Sequence, residues 1–252
     1  MRIKMHWDRQ AGKGELSGTQ DRIAKQLEIQ TISNFVKDGM RVLDVGCGDG
    51  ETLIQLSRQF AITGTGIDFS QEMIEIANNK ASKCEFVCED IKNLDIYSGL
   101  PHFLYDLIYT ERTLINLPTW EEQRQAIIDI GTLLKPGGVY LMCECFTEGI
   151  EDVNLLRQSV GLEPIIPPWH NHYLRSAQVH HDITATGKLV LENRIDYSAN
   201  YYFLSRVVNA YVAAQSAVAI DYDSPINRLA LHLPNKIVNI QGQGQLWVWR
   251  KQ

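Results

Sequence analysis

The sequence lacks what would tie it to a membrane, to nucleic acid or to an oxidising compartment. No uninterrupted apolar stretch reaches the roughly 18–20 residues needed to cross a bilayer. Residues 1–20 contain no apolar leader run, because Lys4, His6, Asp8, Arg9 and Lys13 interrupt it. No block of lysine and arginine stands out. The net charge is −6, and an acidic chain is poorly matched to nucleic acid or an anionic lipid surface. Cysteines are five, an odd number, at 47, 84, 88, 143 and 145. The pairs 84/88 and 143/145 fall in apparent strands, where residues four apart are separated by about 13 Å. That is not the knuckle of a zinc site, so they read as reduced core thiols. Internal repeats and low-complexity tracts are absent too. These absences imply a soluble cytoplasmic protein with neither a nucleic-acid nor a membrane partner; a monomer or homodimer is expected.

What is present is an ordinary globular composition, 44% apolar and 21% charged over 252 residues. This length and balance suit one domain with a sizeable core. The most informative stretch is Val42-Leu43-Asp44-Val45-Gly46-Cys47-Gly48-Asp49-Gly50. It reads as a buried strand entering a glycine turn that opens a helix, a place where a ligand can lie on bare backbone under the helix dipole.

The elements around it alternate. Apolar residues from Ile23 to Val36 recur at helical spacing, with Gly39 in the turn that follows. Strands are expected at 41–45, 61–67, 84–88, 103–109 and 139–146, with helices over 50–60 and after Ser70. Thr119 and Glu122 form a capping box for the next helix, broken by Lys135-Pro136-Gly137-Gly138. Such alternation implies a doubly wound α/β fold with a mostly parallel sheet and helices on both faces. Beyond residue 147 a short helix over 151–160 is expected, then an ordered loop over 162–182 rich in proline and histidine. A strand at 188–197, a helix over 203–220 and a closing strand at 245–251 complete the chain. Residues 1–20 read as a polar arm whose Trp7 either folds over a ligand or anchors the arm to the surface.

The turn spacing separates cofactors. Dinucleotide sites use G-x-G-x-x-G, whereas Gly46-x-Gly48-x-Gly50 is one residue short and carries Asp44 and Asp49 but no cation. A pyrophosphate would be repelled; a cofactor with a cationic centre would not. Asp68, ending strand two, suits a ribose diol because a carboxylate accepts from both hydroxyls. Asp90, ending strand three, is placed to accept from an exocyclic amine, and Phe69 and Ile91 to sandwich a base.

Together these stretches resemble the class I S-adenosylmethionine-dependent methyltransferases. Val42–Gly50 is similar to their first motif, Gly66-Ile67-Asp68-Phe69-Ser70 to the second and Cys88-Glu89-Asp90-Ile91 to the third. Tyr105-Asp106-Leu107-Ile108-Tyr109 resembles their fourth strand, and Leu134-Lys135-Pro136-Gly137-Gly138 the turn before their fifth. The resemblance covers about residues 35–147. It implies a seven-stranded, mostly parallel sheet in one domain over 1–252. Within it, 1–36 would be an arm and helix, 37–147 the cofactor core, 148–186 an acceptor-side insertion after strand five, and 187–252 C-terminal strands and a helix. It also implies S-adenosylmethionine as cofactor, with S-adenosylhomocysteine as by-product.

Residue by residue, the resemblance implies Gly46, Cys47 and Gly48 as the floor under the methionine part, with Asp44 below it. Asp68, Phe69, Met73, Asp90 and Ile91 would hold the nucleoside. Thr110 and Glu111 would face the methionine carboxylate and the methyl group. Proton acceptors at the transfer point would be Glu111, His170 or His172. The acceptor would meet Arg112, Asn116, Glu144, Trp169, Asn171 and Tyr173, the aromatics stacking a sugar or ring and the polar groups bonding its hydroxyls. The Asp/Asn-Pro-Pro-aromatic run of DNA amino methyltransferases is missing after strand four, where Tyr109-Thr110-Glu111-Arg112 stands. Residues 112–123 and 154–173 resemble bacterial methyltransferases of surface glycans and secondary metabolites, so a small-molecule or glycan acceptor is expected, methylated on oxygen or nitrogen. His170, His172, His180 and Asp182 lie in one segment without a matching ligand set elsewhere, so no metal is expected. A nicotinamide oxidoreductase and a non-catalytic partner subunit are the competing readings.

Overall fold

The computed structural model describes residues 2–12, 19, 21–80, 82–94, 104–234 and 239–252. At its centre is a seven-stranded sheet in the order β3-β2-β1-β4-β5-β7-β6. The strands are β1 (Arg41–Val45), β2 (Thr63–Asp68), β3 (Glu85–Cys88), β4 (Tyr105–Glu111), β5 (Leu134–Cys145), β6 (Leu189–Ile195) and β7 (Gly244–Lys251). The first five pair in parallel; β7 runs antiparallel to both β5 and β6.

The alternation of side chains along each strand builds two cores. Val42, Leu107, Leu141 and Val248 pack on one face, with Ile32, Leu53 and Leu56 from the helices there. Leu43, Ile108, Met142 and Trp247 pack on the other, with Ile127 and Ile130. Both faces of the strands are therefore apolar, as a sheet covered by helices on both sides requires. Each such fully buried large side chain contributes about 1.5–3 kcal/mol of transfer free energy. Phe146 and Trp247 add a stacked pair at 4.8 Å between centroids.

The helices carry the start signals that the sequence shows. Asp21 caps α2 (Arg22–Ser33) by accepting from Ala24 N at 3.1 Å, and Ser70 caps α4 (Gln71–Asn79) by accepting from Met73 N. Thr119 caps α5 (Trp120–Leu133) at Glu122 N. The helix α3 (Glu51–Gln59) starts at Gly50, whose φ is +75°.

Several expectations change. The polar arm is a helix, α1 (Arg2–Ala11), laid against α4. The helix α2 ends at Ser33, so Gly39 is not its C′ residue; its φ of +82° serves a separate turn before β1. The segment 162–182 is not all loop. It contains most of α7 (Ser176–Thr184), in which Val179 and Ile183, four apart, turn inward while the polar residues that disguised the helix turn outward. The helix before it, α6 (Thr147–Ser159), begins four residues earlier than expected. The helix placed over 203–220 is instead α8 (Ala199–Tyr202), a π-helical stretch Phe203–Val208 and α9 (Asn209–Gln215). Phe103, the expected start of the fourth strand, lies outside the described residues.

Two features position the site. The sheet order reverses between β1 and β4, which opens a crevice beyond the carboxyl ends of the central strands. The stretch 162–175 is fastened over that end: Asn154 exchanges two hydrogen bonds with the Ile165 backbone, and His172 N donates to Ile115 O at 2.7 Å. No helix of the described residues is long and apolar enough to cross a membrane.

Candidate functional site

A cavity of about 540 Å³ occupies the crevice, within the usual range for small-molecule sites. Its floor is the glycine turn. Gly46 N and Cys47 N both donate to Ile67 O at 2.8 Å, tying the turn to β2. Gly46 has φ +80°, and a Cβ there would lie 2.3 Å from the Thr113 side chain. Gly48 has φ +53°, but a Cβ there would meet nothing within 4 Å. One glycine thus closes the fold beneath the turn, while the other leaves bare backbone facing the cavity.

Three carboxylates ring the floor. Asp44 accepts from Tyr109 OH at 2.7 Å through Oδ2. Its Oδ1 is buried and, among the described residues, has no hydrogen-bond partner. Burial pushes Asp44 up to about 8, against the pull of the Tyr109 hydrogen bond. Asp68 accepts from Ser70 N at 2.9 Å and from Gly48 N at 3.0 Å, and burial raises it to about 6. Asp90 accepts from Lys92 N at 3.0 Å, stopping β3 in a short 3₁₀ turn. Both Asp68 and Asp90 therefore cap local turns and still border the cavity. Phe69, Met73 and Ile91 supply its apolar lining, and Cys47 lines it as a thiol that burial pushes well up.

The wall beyond β4 differs from expectation. Glu111 borders the cavity but is clasped by Lys25 Nζ and by Thr52 Oγ1, the latter at 2.6 Å. Burial alone would raise its pKa, yet the Lys25 ammonium and its other neighbours bring it to about 2. A carboxylate that acidic is a poor proton acceptor near neutral pH. Arg112 lines the cavity in a left-handed conformation, φ +54°, which directs its guanidinium to Glu28 and Glu111. Non-glycine residues in that region are strained and cluster at functional sites.

Four expected site residues lie away from the cavity. Thr110 is fully buried, its hydroxyl spent on Tyr140 OH at 2.9 Å. Glu144 is equally buried, and its Oε1 accepts from Thr113 N and Leu114 N, both at 3.0 Å. It anchors the turn after β4 and does not face an acceptor. Asn171 is not among the residues lining the cavity, and Tyr173 OH accepts from Gln243 Nε2 at 2.6 Å on the β7 side.

The remaining expected residues meet at the mouth. Trp169, His170 and His172 line it together with Asn116. His170 packs tilted against His6 of α1, ring centroids 4.4 Å apart, and its Nδ1 is buried without a partner among the described residues. Burial and the neighbouring His6 and His172 lower its pKa. Across this mouth lies α1, with Arg2 over the Trp169 ring at 4.0 Å, Trp7 Nε1 donating to Asn116 Oδ1 at 3.2 Å, and Asp8 accepting from Ser70 Oγ at 2.8 Å.

Sequence reasoning missed Arg2, Lys4, Lys25, Thr52 and Thr113 of the lining. None sits in a motif; only the lone aromatic cluster at Trp7 hinted that the arm would cover something.

The donor set fits a nucleoside with a cationic amino-acid tail. The orphaned Asp44 Oδ1 is an acceptor for an ammonium group, Asp68 keeps lone pairs for hydroxyls, and no arginine or lysine of the glycine turn awaits a phosphate. Comparisons agree with this geometry. A methyltransferase-domain family model matches residues 42–138. The 27-O-demethylrifamycin SV methyltransferase of Amycolatopsis mediterranei is 30% identical over 142 residues, 53% of this chain and 47% of that protein. A demethylmenaquinone methyltransferase of Staphylococcus aureus is 33% identical over 114 residues, 43% of this chain and 44% of that one. The chain spans about half the length of these curated relatives. Among solved structures, the plantazolicin methyltransferase BpumL in complex with SAH superposes with a TM-score of 0.60 over 99% of this chain and 94% of that one, at 16% identity, a likeness of fold. Residues 42–138 thus match a methyltransferase domain, and the chain as a whole has the fold of the solved methyltransferase.

Proposed function

We propose that this protein transfers a methyl group from S-adenosylmethionine to an oxygen or nitrogen of a small acceptor. The observation that carries this reading is the division of one cavity. An acidic half on β1, β2 and β3 suits the nucleoside and its cationic tail; a half of aromatic and histidine side chains, under α1, suits an acceptor.

In the first half, Asp68 would accept from the ribose hydroxyls and Asp90 from the adenine amine, with Phe69, Met73 and Ile91 against the base. Asp44 Oδ1 would take the ammonium over the floor of Gly46, Cys47 and Gly48. When bound, the cofactor supplies a methyl group already activated on a sulfonium. The chain's remaining task is alignment and exclusion of water, which can account for most of the rate of such a displacement. Roofing by α1 and Trp169 serves that task. Where the acceptor must lose a proton, the imidazole of His172 or His170 would take it at a ring nitrogen; Glu111, held at about 2, is not suited to do so.

The relatives' names put the acceptor on a 27-O-demethylrifamycin in one case and on demethylmenaquinone in another. These names support a small-molecule acceptor without selecting one. A glycan component remains within the same chemistry. The free thiols accord with a reducing, cytoplasmic setting.

The test is transfer of label from methyl-tritiated S-adenosylmethionine to a panel of hydroxylated and aminated metabolites and sugars. Label should reach at least one acceptor class, and His172→Ala with His170→Ala should slow that transfer. Tight cofactor binding with no transfer to any member would contradict the reading and favour a non-catalytic partner subunit.

A further inference from the structure

Lys25 stands apart from the motif residues. It lies on α2, before the matched domain, yet it lines the cavity beside Asp44, Gly46, Thr52 and Glu111. The N-terminal end of α2 is clamped in place: Arg22 pairs with Glu51, the first residue of α3, and Asp21 pairs with Arg206 at 2.7 Å. Lys25 is thereby held at the opening of the glycine turn with its side chain only 14% exposed.

An ammonium has three donors. Among the described residues, Lys25 Nζ spends one on Glu111 Oε1 and has no other hydrogen-bond acceptor. The other nearby cation, Arg112, is turned back onto Glu28 and Glu111. Two cations and two carboxylates meet at this wall, Lys25 on Glu111 and Arg112 on Glu28 and Glu111. A buried ammonium with donors left unspent is costly, and an anionic ligand group in the cavity would take them. The cofactor's amino-acid end carries both signs. Its ammonium has an acceptor in Asp44 Oδ1; its carboxylate needs a cation, and Lys25 is the lining ammonium beside Asp44 and the glycine turn with donors to give.

We propose that Lys25 is the residue that holds the carboxylate of the methionine part of S-adenosylmethionine. This rests on the cofactor reading above. It also reverses the expectation for Glu111: instead of meeting that carboxylate, Glu111 positions the ammonium that does.

The test is calorimetric binding of two probes, S-adenosylmethionine and its decarboxylated counterpart, which keeps the sulfonium and the ammonium but lacks the carboxylate. Wild type should prefer the intact cofactor. Lys25→Ala should weaken intact-cofactor binding by about 10- to 100-fold, the range of one charge-assisted hydrogen bond, and leave the decarboxylated probe within about twofold; Lys25→Arg should restore most of the difference. If Lys25→Ala leaves Glu111 unpaired and the fold weakened, as a lowered Tm would show, the double variant Lys25→Met/Glu111→Gln removes both charges and should give the same probe-selective loss. An equal loss for both probes, or none for either, overturns the assignment. Failure of wild type to bind either probe would instead overturn the cofactor reading itself.

Discussion

Trp7 donates its indole N–H to Asn116 across the mouth of the cavity, joining residues 109 positions apart in the sequence. This contact, with the His6–His170 ring contact, turns a polar N-terminal segment into a roof. Of α1 only Ala11 is buried, so the helix adds little to the stability of the core.

Trp7→Ala should therefore lower Tm by no more than about 3 °C, as expected for a partly exposed site outside the core. It should raise the dissociation constant for S-adenosylhomocysteine by up to about tenfold, the scale of one hydrogen bond plus its packing. Thermal unfolding and calorimetry on the same samples check this. A large drop in Tm with unchanged affinity would mean that α1 braces the fold and does not cover a ligand.

Two glycines of one turn should behave differently. Gly46→Ala forces a left-handed residue and drives a methyl group into Thr113; left-handed strain and overpacking together cost about 2–5 kcal/mol, or roughly 5–15 °C in Tm for a chain of this size. Gly48→Ala meets open space, so it should cost only the backbone strain of about 1–2 kcal/mol. Its methyl group projects where the ligand would lie, and cofactor affinity should fall more than for any change of similar stability cost. Equal Tm losses for both would contradict this separation.

Burial raises Asp44 to about 8, Asp68 to about 6 and Glu144 to about 7. Each folded value lies above that of the unfolded chain, near 4, so the folded protein binds more protons than the unfolded one between pH 4 and 8. The stability these groups contribute is fully present below pH 4 and is lost as pH rises through 6 to 8. The ligand-free protein should accordingly show a falling Tm from pH 5.5 to 8.5. Cofactor binding supplies a cation to Asp44 and should release a proton near pH 7, seen as a dependence of the binding enthalpy on buffer ionisation. Asp44→Asn should abolish that release. A proton release unchanged in Asp44→Asn would assign it elsewhere.

The legible part of this molecule is the local part. Residues 41–51 read correctly because strand, glycine turn and helix start all lie within one short stretch, and the caps Ser70 and Thr119 act on residues three positions away. Glu144 looked like an acceptor contact because alternation along β5 does not tell the outer end of a strand from the part folded under the next turn. The helix α7 was hidden because only Val179 and Ile183 face inward. Lys25 and Glu111 meet across 86 residues, and no spacing in the sequence encodes such a pair. The acidic floor of the cavity is written in motifs; its cationic wall and its roof are products of tertiary packing.

The central claim is that Asp68, at the end of β2 and hydrogen-bonded to Gly48 N, holds the ribose of S-adenosylmethionine. Calorimetric titration of S-adenosylhomocysteine into wild type and Asp68→Ala tests it most directly. Wild type should bind, and the variant should bind at least about 100-fold more weakly, as loss of a carboxylate bonded to two hydroxyls predicts. Unchanged affinity in a folded Asp68→Ala protein would contradict the account.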